Sequence, residues 1–522
     1  MSKRSALGMI VGVLLSATSG FAQGPCSTQS NKLACVIPQE YGVAAFNFTN
    51  VLLNVGQHPQ HFNRGSGDIQ SRLQPLTRII GRQANLLPLA SPSSGVLLTF
   101  DPSLKTQVIT TDSLGPVLGE RAETVGRHRL FLGFSYQFFD FDRIDGVDLR
   151  NIPAVLVHQD DTADNPPKDC SASITPGAPL PLTNVNGCAF VRDAVKTVNS
   201  IDLKVSQYTT YVTFGLTSRI DVSLVIPFEN VRMGLRSSDT IVLGTNGFYP
   251  PASTDTARPN FDHLFANCPN PKPVAASPTD TEAQAAANFQ PGCLNHTFPD
   301  PSLTGGSRSN NSVTGIGDLV ARVKWNAWHG ERANFAAGVD VRFPSGDALN
   351  FLGSGSYGAK PFAVFSYRAR ISPHVLVGYE WNSDSITAGD LVANTKGSVP
   401  NDFIYSAGAD AWVTKWLTGS FDIIGQRFFN TSTLAVTPQT FLAPCGTCAF
   451  TPPARPSPDT VTYNSVSERN QSYNVTNASM GIKLRPFPKV SKLVITANVL
   501  VRLDEGGLHS KPAPLIGLGY TF

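Results

Sequence analysis

Charged side chains in this 522-residue chain recur at every second position of long, otherwise apolar blocks. The polar members that could do chemistry are Arg322, Lys324, Asp340, Arg342, Lys360, Arg368, Arg370, Glu380, Asp410, Asp422 and Arg502. A period of two sends them all to one face of their segments, away from the apolar residues between them. Both signs occur on neighbouring blocks. Such a face can hold an interior closed with ion pairs, or line a wet path whose mixed charges tune what passes. The mixture predicts no strong ion selectivity.

Catalytic constellations are not apparent. The nearest string to a nucleophile elbow, Gly353-Ser354-Gly355-Ser356, has the wrong order. His58 and His61 lack a Glu at zinc-site spacing, and only His128 and His374 fall on the alternating blocks. No catalytic residue, metal ligand or cofactor is assigned. The eight cysteines form sequence-local pairs: Cys26 with Cys35, Cys170 with Cys188, Cys268 with Cys293, and Cys445 with Cys448. In an exported chain these read as disulfides stapling loops, although eight cysteines allow 105 pairings. Cys445-Gly-Thr-Cys448 as a redox motif lacks a βαβ setting.

The elements that must carry these residues are strands. Leu319, Ala321, Val323, Trp325 and Ala327 alternate with polar residues, as do Phe335, Ala337, Val339, Val341 and Phe343. Ala363, Phe365, Tyr367, Ala369 and Ile371 oppose Lys360, Ser366, Arg368 and Arg370. These blocks exceed the ~5–6 residues of a soluble strand and suit a tilted bilayer crossing. No apolar run of ~20 residues follows the N-terminus, so a helical membrane protein is excluded. The charged fraction of 15% is low against the ~25% of soluble proteins. A net charge of +3 gives no argument for nucleic acid as a partner.

The expected fold is all-β, a transmembrane antiparallel barrel of twelve to fourteen strands. Twelve are read at 128–141, 201–216, 219–231, 316–328, 332–344, 357–371, 373–383, 402–413, 416–430, 471–486, 491–503 and 512–522. Alternate links are short, such as Thr217-Ser218, Ser372 and Thr414-Lys415. The others are long, above all 142–200, 232–315 and 431–470. That asymmetry matches periplasmic turns and extracellular loops, with outer-membrane lipid around the barrel.

Residues 23–126 precede the barrel as a plug or periplasmic extension. Tyr41 to Leu53 is apolar, Asp68 to Asn85 reads as a helix interrupted at Pro75, and Gly95 to Phe100 as a strand. Glu120, Arg121, Glu123 and Arg127 in the segment 113–127 would meet the inward charges. Residues 1–22 read as a signal peptide, with Lys3 and Arg4 ahead of a short apolar core and Gly20-Phe21-Ala22 as the cleavage site. The chain stops on Ile516, Leu518, Tyr520 and Phe522, one face with a terminal aromatic. This resembles the C-terminal signature of bacterial outer-membrane barrels, and implies recognition of Phe522 by the barrel-assembly machinery.

The opening Gly315-Ile316-Gly317-Asp318 and the strand closing in Phe343-Pro344-Ser345-Gly346-Asp347 resemble the outer-membrane channel family linked to the meta-pathway of phenol degradation. That family is related in style to the hydrophobic-substrate channels typified by the long-chain fatty-acid transporter. The similarity runs over roughly 128–231 and 315–522. It implies passive or gated uptake of small organic solutes, hydrophobic or aromatic compounds among them. A structural or adhesive surface barrel and a barrel-embedded hydrolase are the alternatives. The long Cys-bearing loops and the N-terminal extension depart from the family's simple pattern.

Overall fold

A computed structural model of the protein describes residues 32–41, 69–83, 87–88, 98–101, 106–109, 113–157, 194–242, 295–298, 311–391, 394–442, 460–487 and 492–522. The proposed signal peptide, His58 and His61 lie outside these residues. So do seven of the eight cysteines read as disulfide partners: Cys26, Cys170, Cys188, Cys268, Cys293, Cys445 and Cys448. Both members of the loop pairs Cys170 with Cys188, Cys268 with Cys293, and Cys445 with Cys448 fall there, so these three staples stay expectations from sequence. Cys35 is the described exception. It is buried and is not a free thiol, and its predicted partner Cys26 is outside the described residues.

Twelve strands make the wall: β1 (Leu130–Ile144), β2 (Ala194–Gly215), β3 (Ile220–Val242), β4 (Leu319–His329), β5 (Ala333–Phe343) and β6 (Gly358–Tyr367), then β7 (Ile371–Asn382), β8 (Asp402–Thr414), β9 (Leu417–Leu442), β10 (Thr460–Leu484), β11 (Leu493–Arg502) and β12 (Ala513–Thr521). Each pairs antiparallel with its chain neighbour, β3 with β4 through Val222↔Val323. β12 returns to β1 through Leu518↔Phe134, so the sheet closes with no open edge. At the seam the Phe522 amide donates to the Leu130 carbonyl at 2.8 Å.

The two faces differ as the alternation requires. Val323, Trp325, Phe335, Val339, Phe365, Val375, Phe421, Ile482 and Ile516 point outward and are exposed, forming a continuous apolar belt. Soluble monomers rarely leave so much apolar surface open, and such a belt is what a transmembrane barrel presents. Trp328 and Trp416 mark the short-turn rim and Trp381 the opposite one, where aromatic girdles belong. A register shift between Asn326 and Trp328 turns Trp328, rather than Ala327, fully outward at 69% exposure.

Several boundaries differ from the sequence reading. β2, β3, β9 and β10 run 22, 23, 26 and 25 residues. A bilayer crossing needs about 9–11. Their outer halves therefore rise as hairpins into the stretches read as loops. Among the described residues two helices precede the barrel, α1 (Leu33–Tyr41) and α2 (Ile69–Gln83). Pro75 lies inside α2 without dividing it. Proline removes one backbone bond, but Leu76, Ile79 and Ile80 are fully buried and hold the helix from the side.

Candidate functional site

The inward face is the candidate site, and it is occupied by the protein's own N-terminal residues. Residues 113–125 run through the short-turn half of the barrel. The Glu120 carboxylate accepts from Arg322 at 2.6 Å and from Lys324 at 2.9 Å. The Lys324 ammonium, 0% exposed, also donates to the carbonyls of Arg121 and Glu123 at 3.0 and 2.8 Å. Glu123 accepts from Arg368 and from the Ser366 hydroxyl, each at 2.8 Å. Asn326 donates to the Ala122 carbonyl, and the Val125 amide to Asp221.

The opposite wall grips the start of the segment. Ser113 donates to Asp410, the Leu114 amide to Thr418, and Lys483 to the carbonyls of Leu114 and Pro116. His374 sits between Asp410 and Asp422, with Gly119 pressed on it. A Cβ at Gly119 would collide with the Asp422 carboxylate and the His374 ring, so only glycine passes there.

A second closure lies at the long-link mouth. The link after β5 folds inward rather than out, burying Ala348, Leu349, Phe351 and Leu352. The Asp318 carboxylate pins it, accepting from the Gly346 amide at 3.1 Å and from the Ser354 amide at 2.7 Å and hydroxyl at 2.5 Å. Ser345 donates to the Gly317 carbonyl and accepts from the Leu319 amide. The two short motifs are thus two halves of one clasp. Gly315 and Gly317 leave room for Leu352, which a Cβ on either would crowd.

The helices dock on that clasped link. Lys32 pairs with Asp347 at 2.6 Å, and the Leu33 amide donates to Asn350 at 3.2 Å. α2 packs against α1, the strand Asp384–Asp390 and the tall hairpin of β9 and β10. Beyond the rim, burial raises the Asp145 carboxyl above its usual range, against the pull of amides from Leu434 and Gly507.

Between the closures lies a chamber of about 240 Å³. Arg322, Asp340, Arg342, Lys360, Glu380 and Arg502 of the predicted set line it. Asp340 takes a two-pronged pair from Arg322 at 2.6 and 2.8 Å and one from Lys360 at 3.0 Å. Arg342 meets Glu380 at 3.1 Å. Lys324, Arg368, Asp410 and Asp422 instead hold the segment 113–125.

Arg370 departs from the expectation. β6 ends at Tyr367, because the Ser372 hydroxyl donates back to the Ala369 carbonyl and closes a turn over 368–370. Arg370 therefore lies exposed on that turn, over the Trp412 ring at 5.7 Å, and not in the lumen. Arg127 and His128 are likewise exposed at the short-turn rim. Asp221, Glu229, Asp318 and Lys483 are buried interior charges missing from the predicted set; all but Asp318 sit at inward parity on strands. Their signal was present and unused.

A closed barrel with an apolar outer belt and a polar interior defines an outer-membrane β-barrel, and the bacterial outer membrane is its location. Residues 278–433 match the family described as "Putative MetA-pathway of phenol degradation", which contains the clasp and the hairpins from β4 to β8. No curated protein matches the chain in sequence. Among solved structures, the COG4313 outer membrane channel from Pseudomonas putida F1 is similar at 10% identity and TM-score 0.39, over 78% of this chain and all of that one. A Pseudomonas aeruginosa FadL homologue (11%, 0.28) covers 82% of this chain and 96% of its own. The Pseudomonas putida toluene transporter TodX (8%, 0.24) covers 84% and 96%. Overlaps this loose align no side chains, so the interior is read from its own residues.

Proposed function

We propose that the protein is a gated outer-membrane channel for small organic solutes, held shut in this conformation by its N-terminal residues. The observation that carries the reading is the chamber itself, a space between two closures inside a lipid-belted barrel. The described residues 32–41, 69–83 and 113–125 act as the plug, the two helices on the outer mouth and the last stretch in the short-turn half. The family match and the names of the similar channels support organic solutes, aromatic ones among them. Catalysis is not assigned. Ser113 donates to Asp410, while the His374 ring nitrogens face Ser372, Asp410 and Asp422, so neither is turned to the hydroxyl as a base.

Planar-bilayer recording tests the reading. Removing residues 30–125 raises single-channel conductance several-fold over the full chain, with the barrel still shifting on gels between unboiled and boiled samples. Unchanged conductance in a heat-modifiable deletion variant refutes the plug. Lipid or peptide hydrolysis by the full chain would favour the enzyme reading instead. We further assign Phe522 to recognition by the assembly machinery; Phe522→Ala lowers the heat-modifiable fraction in cells while leaving barrels refolded in detergent unaffected. The local cysteine pairs are proposed on the same terms, as staples of the long links. Peptide mapping without reduction should recover Cys170 joined to Cys188 and Cys268 joined to Cys293, and alkylated free thiols at these four positions would remove them.

A further inference from the structure

The chamber has unlike walls. One arc, on β4 to β7, carries Arg322, Asp340, Arg342, Lys360 and Glu380. The arc from β1, β9 and β11 carries Phe139, Phe141, Phe428 and Leu500, with Arg502 at its edge held by Asp504. Its volume lies below the ~300–1,000 Å³ of pockets for drug-sized ligands, which limits an occupant to about one ring with a short substituent.

The charged arc has unspent capacity, and it is donor capacity. Arg322 is taken up by Asp340 and Glu120 and lies over the Phe362 ring at 4.9 Å. The lining carboxylates are matched: Asp340 by two cations, Glu120 by two, Glu380 by Arg342. Lys360 is different. At 24% side-chain exposure it is the most open charged group on the arc, and among the described residues its ion pair is to Asp340, with Glu380 acting on it from farther off. Arg342 is already engaged: it pairs with Glu380 and Asp318, donates to Asn382, and its Nε and Nη1 are shut off from the chamber. Glu229 and Asp402 lie outside the chamber lining, although the Asp402 carboxylate stands close enough to act electrostatically on Lys360, Arg342 and Glu380. An open ammonium beside an apolar wall favours a ligand with an anionic head and a compact body.

We infer that the chamber is a binding site for a small organic anion, a carboxylate on a single ring or equally compact apolar body, with its head on Lys360 and its body against Phe139 and Phe141. The inference rests on the channel reading only for how the ligand arrives.

Calorimetric titration of the purified full chain in detergent tests it, with benzoate and the neutral, similarly shaped benzyl alcohol as probes. Benzoate binds saturably, and benzyl alcohol about tenfold more weakly or less, as loss of a charge-assisted contact implies. Lys360→Met weakens benzoate about tenfold and leaves benzyl alcohol unchanged, whereas Lys360→Arg restores the preference. Phe139→Ala weakens both probes. Equal binding of the two probes by the unmodified chain overturns the site whatever the variants do. So does unchanged benzoate affinity in a heat-modifiable Lys360→Met protein. Absent benzoate binding beside a conducting deletion variant sinks the site and leaves the channel; binding without conductance does the reverse.

Discussion

The two closures of the lumen are built from different materials. At the outer mouth, Leu33, Val36 and Ile37 of α1 and Leu76, Ile79 and Ile80 of α2 join Leu349, Phe351 and Ile386 in one buried apolar cluster. In the short-turn half, Val117 and Leu118 reach the edge of that same cluster, but the rest of the segment 113–125 has only small local apolar contacts and is held by carboxylate–ammonium and carboxylate–guanidinium pairs. Apolar packing is non-directional and tolerates small shifts. Buried ion pairs hold one geometry and lose most of their worth when a single partner goes. The outer closure therefore behaves as part of the fold, and the inner one as a latch.

The strongest way to break that contrast is at Glu120. Glu120→Gln leaves Lys324 buried without its carboxylate, and removing one partner of a buried pair costs about 3–5 kcal/mol. The expected outcome is frequent opening of the 113–125 closure, read as larger and noisier single-channel currents in protein whose outer closure is cleared by removal of residues 30–110. Combining Glu120→Gln with Lys324→Met recovers part of the loss, since the buried ammonium that lost its carboxylate is then gone, although Asp221 loses the same cation. Equal currents in the single and double variants mean the ion pairs do not hold the segment.

The outer closure gives the next largest effect. Ile80 is fully buried in the cluster, so Ile80→Ala costs about 2–5 kcal/mol of helix docking. Amide exchange over 69–83 accelerates while the strands stay protected. If strand protection falls equally, the helices are integral to barrel stability and are no lid.

The clasp is expected to be weaker than either. Asp318→Asn keeps one acceptor oxygen but loses the charge-assisted bonds from Gly346 and Ser354, about 1.5–3 kcal/mol. Exchange or proteolysis at 345–356 rises with the barrel intact. A link that stays protected would show that Phe351 and Leu352, not the carboxylate, hold it inside.

The wall was legible because lipid outside and water or protein inside impose one strict period over each crossing. The twelve strands, their closure and the alternating link lengths follow from it. The period fades where both faces turn polar, as in Thr431–Ser432–Thr433 of β9, so the tall hairpins read as loops. Parity also told which side chains face inward, but not whom they meet. Glu120 finds Arg322 across 202 positions, and no local pattern records such a pair. The inward fold of 345–356 was hidden by composition, since a Gly/Ser-rich link looks like a solvent loop until Asp318 is seen to clasp it. Arg370 was misplaced for the opposite reason: the alternation continues through the turn that the Ser372 hydroxyl closes.

That turn supplies the smallest expected effect, and the sharpest check on where the lumen ends. Arg370 touches no part of either closure; it lies over the Trp412 ring on the exposed rim. A cation over an exposed ring contributes about 0.5–1 kcal/mol. Arg370→Ala should therefore leave single-channel conductance, benzoate affinity and heat-modifiability within error of the unmodified protein. Arg368→Ala, two positions earlier, removes the partner of Glu123 at 2.8 Å and loosens the latch measurably. The pair of variants compares neighbours of like charge that differ only in side. Should Arg370→Ala alter conductance as much as Arg368→Ala, the turn over 368–370 would have to face the permeation path, and the boundary between rim and lumen drawn at Tyr367 would be wrong.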